Sequence, residues 1–143
     1  MEPRRAALPW IVLIAVLLAA CGPAPSASMG TPVSGARFEE EVVGKVMSFR
    51  LPRRGLAEAQ FQPDGTAVFR GAYLDGTGRW RPWARGYCAY YPWLQAGPGL
   101  RPPFSGRVEP DGYHCYEVRA EDGSFVVFQR DGVYAGTLVP VAD

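Results

Sequence analysis

The chain has 143 residues, with 15 lysines and arginines against 14 aspartates and glutamates. That length suffices for one domain, and the near-neutral balance gives no electrostatic ground for a nucleic acid or an anionic membrane surface as partner. One histidine and three cysteines leave little material for a metal site, which wants several Cys, His or carboxylate ligands.

The N-terminus opens with MEPRRAA, carrying Arg4 and Arg5, and an apolar stretch follows from Leu8 to Ala20, broken only by Pro9. Its uninterrupted part, Trp10 to Ala20, is 11 residues, well short of the roughly 20 that a helix needs to cross the hydrocarbon core. The pattern is that of a secretory signal, with small residues Ala19 and Ala20 at the peptidase site. Leu18-Ala19-Ala20-Cys21-Gly22 resembles the lipobox of bacterial lipoproteins. The resemblance implies that residues 1–20 are a signal peptide, that the Cys21 thiol receives a diacylglyceryl group, and that the new amino terminus is acylated. Two or three chains anchor stably where one holds only marginally. Gly22, in place of an aspartate, implies the outer membrane, with the protein facing the periplasm.

Without the signal peptide the chain has thirteen residues of each charge. Gly22 to Ser34, GPAPSASMGTPVS, is small, Pro-rich and uncharged. It cannot bury a core, so residues 21–34 read as a flexible tether and 35–143 as one β-rich domain. Ser34 is placed to cap a short helix, SGARFEEEVVGK, whose apolar face is Phe38, Val42 and Val43. Glu39 to Glu41 lie in its early turns, where the dipole favours negative charge, and Gly44 suits the position just past its end.

Beyond Gly44 the signals are β. Asp-Gly occurs five times, at Asp64, Asp75, Asp111, Asp122 and Asp131, and supplies the positive φ that tight hairpins require. Strand-length runs fall around these points: 45–51, 57–62, 66–73, 77–83, 87–91, 113–120, 124–129 and 133–139. About eight strands at hairpin spacing predict an antiparallel meander, curled into a small barrel or half-barrel, with the helix covering one opening. No Asp-x-Asp-x-Asp-Gly with a closing Glu is present, so the Asp-Gly steps are turns and not calcium loops. From Ala89 to Pro110 the rhythm fails. Five prolines among these 22 residues refuse a regular ladder, and a long excursion between two strands is expected. Long loops in compact domains are often functional.

With Cys21 committed to lipid, Cys88 and Cys115 remain, in a compartment where disulfides persist. A bond between them encloses 26 residues and is worth about 3–4 kcal/mol by chain entropy. A metal site is the rival reading. The order Gly44, Phe61-Gln-Pro-Asp-Gly-Thr66, Gly78-Arg-Trp80-Arg81, Gly86-Tyr-Cys88, Cys115-Tyr-Glu-Val118, Asp131-Gly132 and Gly136 resembles a family of small proteobacterial secreted proteins, one of the domains of unknown function. The resemblance covers about residues 35–140, excludes the insertion after Tyr91, and implies a fold and a compartment without an activity.

RWRPWARGYC interleaves Arg79, Arg81 and Arg85 with Trp80, Trp83 and Tyr87, as single-stranded nucleic-acid binders do. A strand with Trp80 inward and arginines in water fits the compartment better. His114 beside Cys115 suggests a dyad, but a disulfide-bonded cysteine is no nucleophile, and His114 reads as a surface residue. Ser48, Ser105 and Ser124 sit in no recognisable nucleophile elbow. Glu58, Glu109 and Glu117 are read as solvated carboxylates more than as a glycosidase pair. No catalytic residue, metal ligand or cofactor is assigned.

Tyr90, Tyr91, Trp93, Leu94 and Phe104 concentrate aromatic and apolar area on the excursion, and Tyr and Trp are enriched at binding hot spots. The expected function is a non-catalytic, monomeric envelope lipoprotein that binds a protein partner through residues 90–104, with Trp93 as anchor. A lipocalin-like carrier of an apolar ligand is the alternative, although short strands leave little lumen. Barrel-shaped lipoproteins that inhibit lysozyme are a relative in shape. Their Ser-Gly-x-x-Tyr signature is not matched, since Ser105-Gly106 is followed by Arg107, Val108 and Glu109.

Overall fold

The computed structural model describes residues 30–95 and 108–142. In chain order these form β1 (Thr31–Pro32), α1 (Gly35–Glu41), β2 (Val46–Leu51), β3 (Gly55–Phe61), β4 (Thr66–Gly71), β5 (Gly76–Trp83), β6 (Gly86–Tyr90), a 3₁₀ turn (Pro92–Gln95), β7 (His114–Glu121), β8 (Ser124–Gln129) and β9 (Tyr134–Pro140). From β2 to β9 each strand pairs antiparallel with the next, and β9 returns to β2 with Phe49 opposite Leu138. The eight strands therefore close an up-and-down barrel, and closure removes the edges that an open sheet exposes. β1 is an added strand on β7, with Thr31 opposite Ala120. The ordered domain thus begins earlier than the Pro-rich composition suggests. Val33 is fully buried and its amide donates to the Val118 carbonyl at 2.9 Å, so residues 31–34 belong to the fold rather than to a tether.

Four of the five Asp-Gly steps resolve into two kinds of turn; the fifth, Asp75-Gly76, is no turn, because Gly76 already opens β5. Asp122-Gly123 is a two-residue hairpin with both residues at positive φ and Glu121 opposite Ser124. The turns at Asp64, Asp111 and Asp131 share a longer design. Each aspartate carboxylate accepts from the amide two residues on, Thr66, Tyr113 and Val133 respectively, at 2.8–3.3 Å. Each following glycine donates to the carbonyl three residues back, and only the glycine has positive φ. Pro63 and Pro110 precede two of these aspartates, and proline pre-sets the φ that such a turn needs.

Alternation then fills the lumen. Met47, Phe49, Ala57, Ala59, Phe61, Ala67, Phe69, Trp80, Tyr87, Tyr116, Val118 and Leu138 are buried on the inner face. The β2, β5, β6, β7 and α1 ends meet at one rim, here called the α1 end. The β2–β3, β4–β5, β6–β7 and β8–β9 connections meet at the other, the loop end. At the α1 end Ser34 caps the helix, accepting from the Arg37 amide at 3.2 Å. The helix drops Phe38 into the lumen, stacked on Tyr87 at 4.7 Å and edge-on to Phe61 at 5.1 Å. Trp80 closes the adjacent wall, and its indole N–H donates to the Gln62 carbonyl at 2.8 Å, as a buried tryptophan requires.

Candidate functional site

The excursion leaves β6 and returns to β7 at the loop end, and a disulfide stands at its base. Cys88 and Cys115 are register partners on β6 and β7, and they are covalently joined. The flanking residues Tyr87, Ala89 and Tyr116 point into the lumen, so the bond lies on the outward side of the ladder, still shielded from solvent. Both free thiols are consumed, which removes them as nucleophile or metal ligand.

The aromatic residues of the ascending limb go to different places. Tyr90 lies outside, its ring 5.6 Å from Tyr113, and the Arg81 guanidinium sits 4.2 Å from the Tyr113 ring. Arg81 also pairs with Asp111 at 2.6 Å. Tyr91 turns inward and is 1% exposed. It is not part of a contact surface, because strand alternation carries it into the lumen beside Phe69. Trp93, in the 3₁₀ turn, folds back and packs on the core, with its ring 5.5 Å from Tyr91 and 6.4 Å from Phe69. It covers the loop-end opening rather than standing free as an anchor. Phe104 and the Leu94 side chain lie outside the described residues, as does Cys21.

The descending limb is braced. Val108 bridges to His114, the Glu109 carboxylate pairs with Arg130 of the β8–β9 turn, and Asp111 holds Arg81. Next to it, Trp83 on the outer face of β5 lies under two guanidinium groups, Arg85 at 4.6 Å and Arg130 at 5.5 Å. Arg85 in turn pairs with Glu117 at 2.5 Å. This clamp joins three segments far apart in sequence. Of the acids considered for joint chemistry, Glu58 pairs with Arg70 on β4, across the barrel from Glu117, and Glu109 is engaged with Arg130.

A polar cluster that the sequence did not signal runs through the lumen, from Tyr87 beside Phe38 to His114 and Gln129 at the loop end. Tyr87 and Tyr116 are register partners with rings 5.1 Å apart, Gln129 is opposite Tyr116, and the His114 ring is 5.9 Å from Tyr91. His114 is 5% exposed, which corrects its reading as a surface residue; Tyr116, two positions on, fixes the same inward parity. Its Nδ1 and the Oε1 of Gln129 find no hydrogen-bond partner among the described residues, at a cost of about 1–3 kcal/mol each. Burial lowers the His114 pKa below its ordinary 6.5 and raises those of Tyr87, Tyr91 and Tyr116.

Grooves lie on the outside of the barrel. One runs between α1 and the β7–β8 turn, lined by Arg37, Glu41, Lys45, Asp122 and Phe125. Another crosses the β2–β4 face, lined by Ser48, Leu56, Glu58 and Arg70. Compared with known proteins, the chain matches no family model, no curated protein and no solved structure.

Proposed function

We propose that the chain is a non-catalytic, monomeric lipoprotein of the cell envelope, held by acyl chains on Cys21, whose barrel binds an envelope protein with the excursion side of its loop end. The observation that carries this reading is the polarity of the barrel. β1 joins the fold at Ala120, near the α1 end, whereas the excursion emerges at the opposite rim. A barrel tethered through its N-terminus therefore presents the excursion away from its anchor.

The contact residues favoured by the geometry are Tyr90, Tyr113 and Arg81, an outward cluster of the residue types that dominate hot spots. The disulfide and the Arg130–Glu109 pair brace it, which lowers the ordering entropy that binding must overcome. A carrier of apolar ligands would need the lumen that Phe38, Phe61, Phe69, Trp80 and Tyr87 occupy, so binding at the rim is the better supported reading.

A photocrosslinking residue at position 90, with one at Glu40 of α1 as control, tests it in cells. A discrete protein adduct from position 90 and none from position 40 supports the reading, and equal or absent adducts refute it. Cys21→Ser tests the anchor separately: the variant is expected to leave the membrane fraction or to stay unprocessed.

A further inference from the structure

The near-neutral total conceals an uneven distribution of charge. At the α1 end the acids Glu39, Glu40, Glu41, Glu121 and Asp122 are interspersed with the cations Arg37 and Lys45. At the loop end the turn-ward end of β2 and the β2–β3 connection carry Arg50, Arg53 and Arg54, all exposed and none in an ion pair among the described residues. The neighbouring β4–β5 connection contributes a single carboxylate, Asp75. Leu56 and Tyr73, the two most exposed large apolar residues among the described residues, stand among these arginines at 62% and 64% exposure. Arg50 is the register partner of Leu56, and β3 meets β4 at Ala57 and Gly71, which brings Leu56 beside the Tyr73 loop. That loop is not free to fold its ring inward, because the next residue, Leu74, fills the core and is fully buried. Arg53 has φ 60, a left-handed conformation that glycine or asparagine takes with less strain.

The geometry points to this corner, Arg50, Arg53, Arg54, Leu56 and Tyr73, as a docking site for an anionic bilayer surface. Guanidinium groups pair with lipid phosphates, tyrosine settles at headgroup depth, and leucine enters the acyl boundary. Two convex turn tips suit a soft surface; protein hot spots sit in packed, desolvated pockets. The bilayer is the one that holds the anchor, so the inference rests on the lipid-anchoring reading. The ten residues from Cys21 to Gly30, nine Cα–Cα steps, reach about 30 Å when extended. The longest strands have eight residues, or about 26 Å, so the tether lets the barrel lie on its β2–β4 flank. β3 and β7 are four strands apart in a ring of eight, and the excursion side then faces away from the membrane.

The test uses the acylated mature protein bound to vesicles, with its native disulfide formed and an environment-sensitive fluorophore on Tyr73→Cys. The expected result is a blue shift on phosphatidylglycerol-containing vesicles, absent on pure phosphatidylcholine and reversed by salt. Arg50→Glu, Arg53→Glu and Arg54→Glu together should abolish it. At about 1 kcal/mol per arginine near an anionic surface, removing three weakens docking about 100-fold. A label that stays water-exposed on phosphatidylglycerol, that shifts equally on phosphatidylcholine, or that still shifts in the triple variant overturns the proposal. Anchoring is read independently: protein that fails to float with phosphatidylcholine vesicles refutes the lipid anchor alone. Unanchored protein that then floats with phosphatidylglycerol vesicles, and loses this in the triple variant, still supports the docking site.

Discussion

The indole of Trp93 lies directly on the backbone of Gly76: a Cβ built at Gly76 would stand 2.8 Å from Trp93 Cε3 and 2.9 Å from Cζ3. The 3₁₀ turn after β6 thereby reaches across to the start of β5, and the ring seals the loop end above Phe69 and Tyr91. Trp93→Ala is expected to cost about 2 kcal/mol in urea unfolding, below the 3–5 typical of a fully buried large aromatic. Gly76→Ala should destabilise through the clash and through its φ of 142°. In the Trp93→Ala background the clash is gone, so the cost of Gly76→Ala should fall by about 1 kcal/mol or more in a double-mutant cycle. Additive costs would mean that the two residues do not touch in solution.

The Cys88–Cys115 bond makes a second stability prediction. It joins residues separated by 27 positions, and releasing that constraint on the unfolded chain is expected to cost about 3–4 kcal/mol. Cys88→Ala with Cys115→Ala should therefore lower the denaturant midpoint and steepen the slope, because the freed unfolded chain exposes more surface. A loss under about 1 kcal/mol would show that the barrel holds this corner without the covalent link.

The buried polar groups of the lumen make stability fall at both ends of the pH scale. His114 has a folded pKa below 6.5 because burial disfavours the imidazolium. The unfolded chain then binds a proton that the folded chain does not, so stability is full above 6.5 and declines as pH falls through that value. Asp64 and Asp111, held below 3.8 by hydrogen bonds from Thr66 and Arg81, act only at lower pH. Between about pH 7 and 5 the slope should thus come from His114, and His114→Phe should flatten it in urea titrations. On the alkaline side burial keeps the Tyr87, Tyr91 and Tyr116 phenols protonated above their ordinary 10. Stability should decline as pH rises past that value, with these three ionising only as the barrel opens.

Strand number, order and the closing role of the helix could be read from the sequence, because Asp-Gly turns and two-residue alternation are local signals. The Cys88–Cys115 pair followed from cysteine arithmetic and the expectation of an oxidising compartment. What could not be read depends on closure. Thr31–Pro32 pairs with a strand nearly ninety positions away, and no local pattern marks that contact. His114 looked exposed because one polar residue next to a cysteine carries no sign of which face it takes. The Arg85–Trp83–Arg130 clamp and the split between inward Tyr91 and outward Tyr90 depend on register between β5, β6, β7 and β8, which a list of strands does not supply.

Phe38 offers the sharpest test of the claim that the helix is part of the core rather than a cover laid over it. The helix has seven residues, too few to be stable alone, so tertiary contact must hold it. That contact is concentrated in one ring, fully buried and within 4.7–5.9 Å of Tyr87, Phe61 and Trp80. Phe38→Ala removes the stack and leaves a space between three aromatic rings that cannot collapse without shifting strands. The expected cost is about 3–5 kcal/mol, against about 1 kcal/mol for Ser34→Ala, which removes only the cap. Amide exchange should separate the two: Ser34→Ala frays the first turn, whereas Phe38→Ala also loosens β6 around Tyr87. If Phe38→Ala costs no more than Ser34→Ala, the helix is a detachable cover and the lumen of the barrel is open to a ligand.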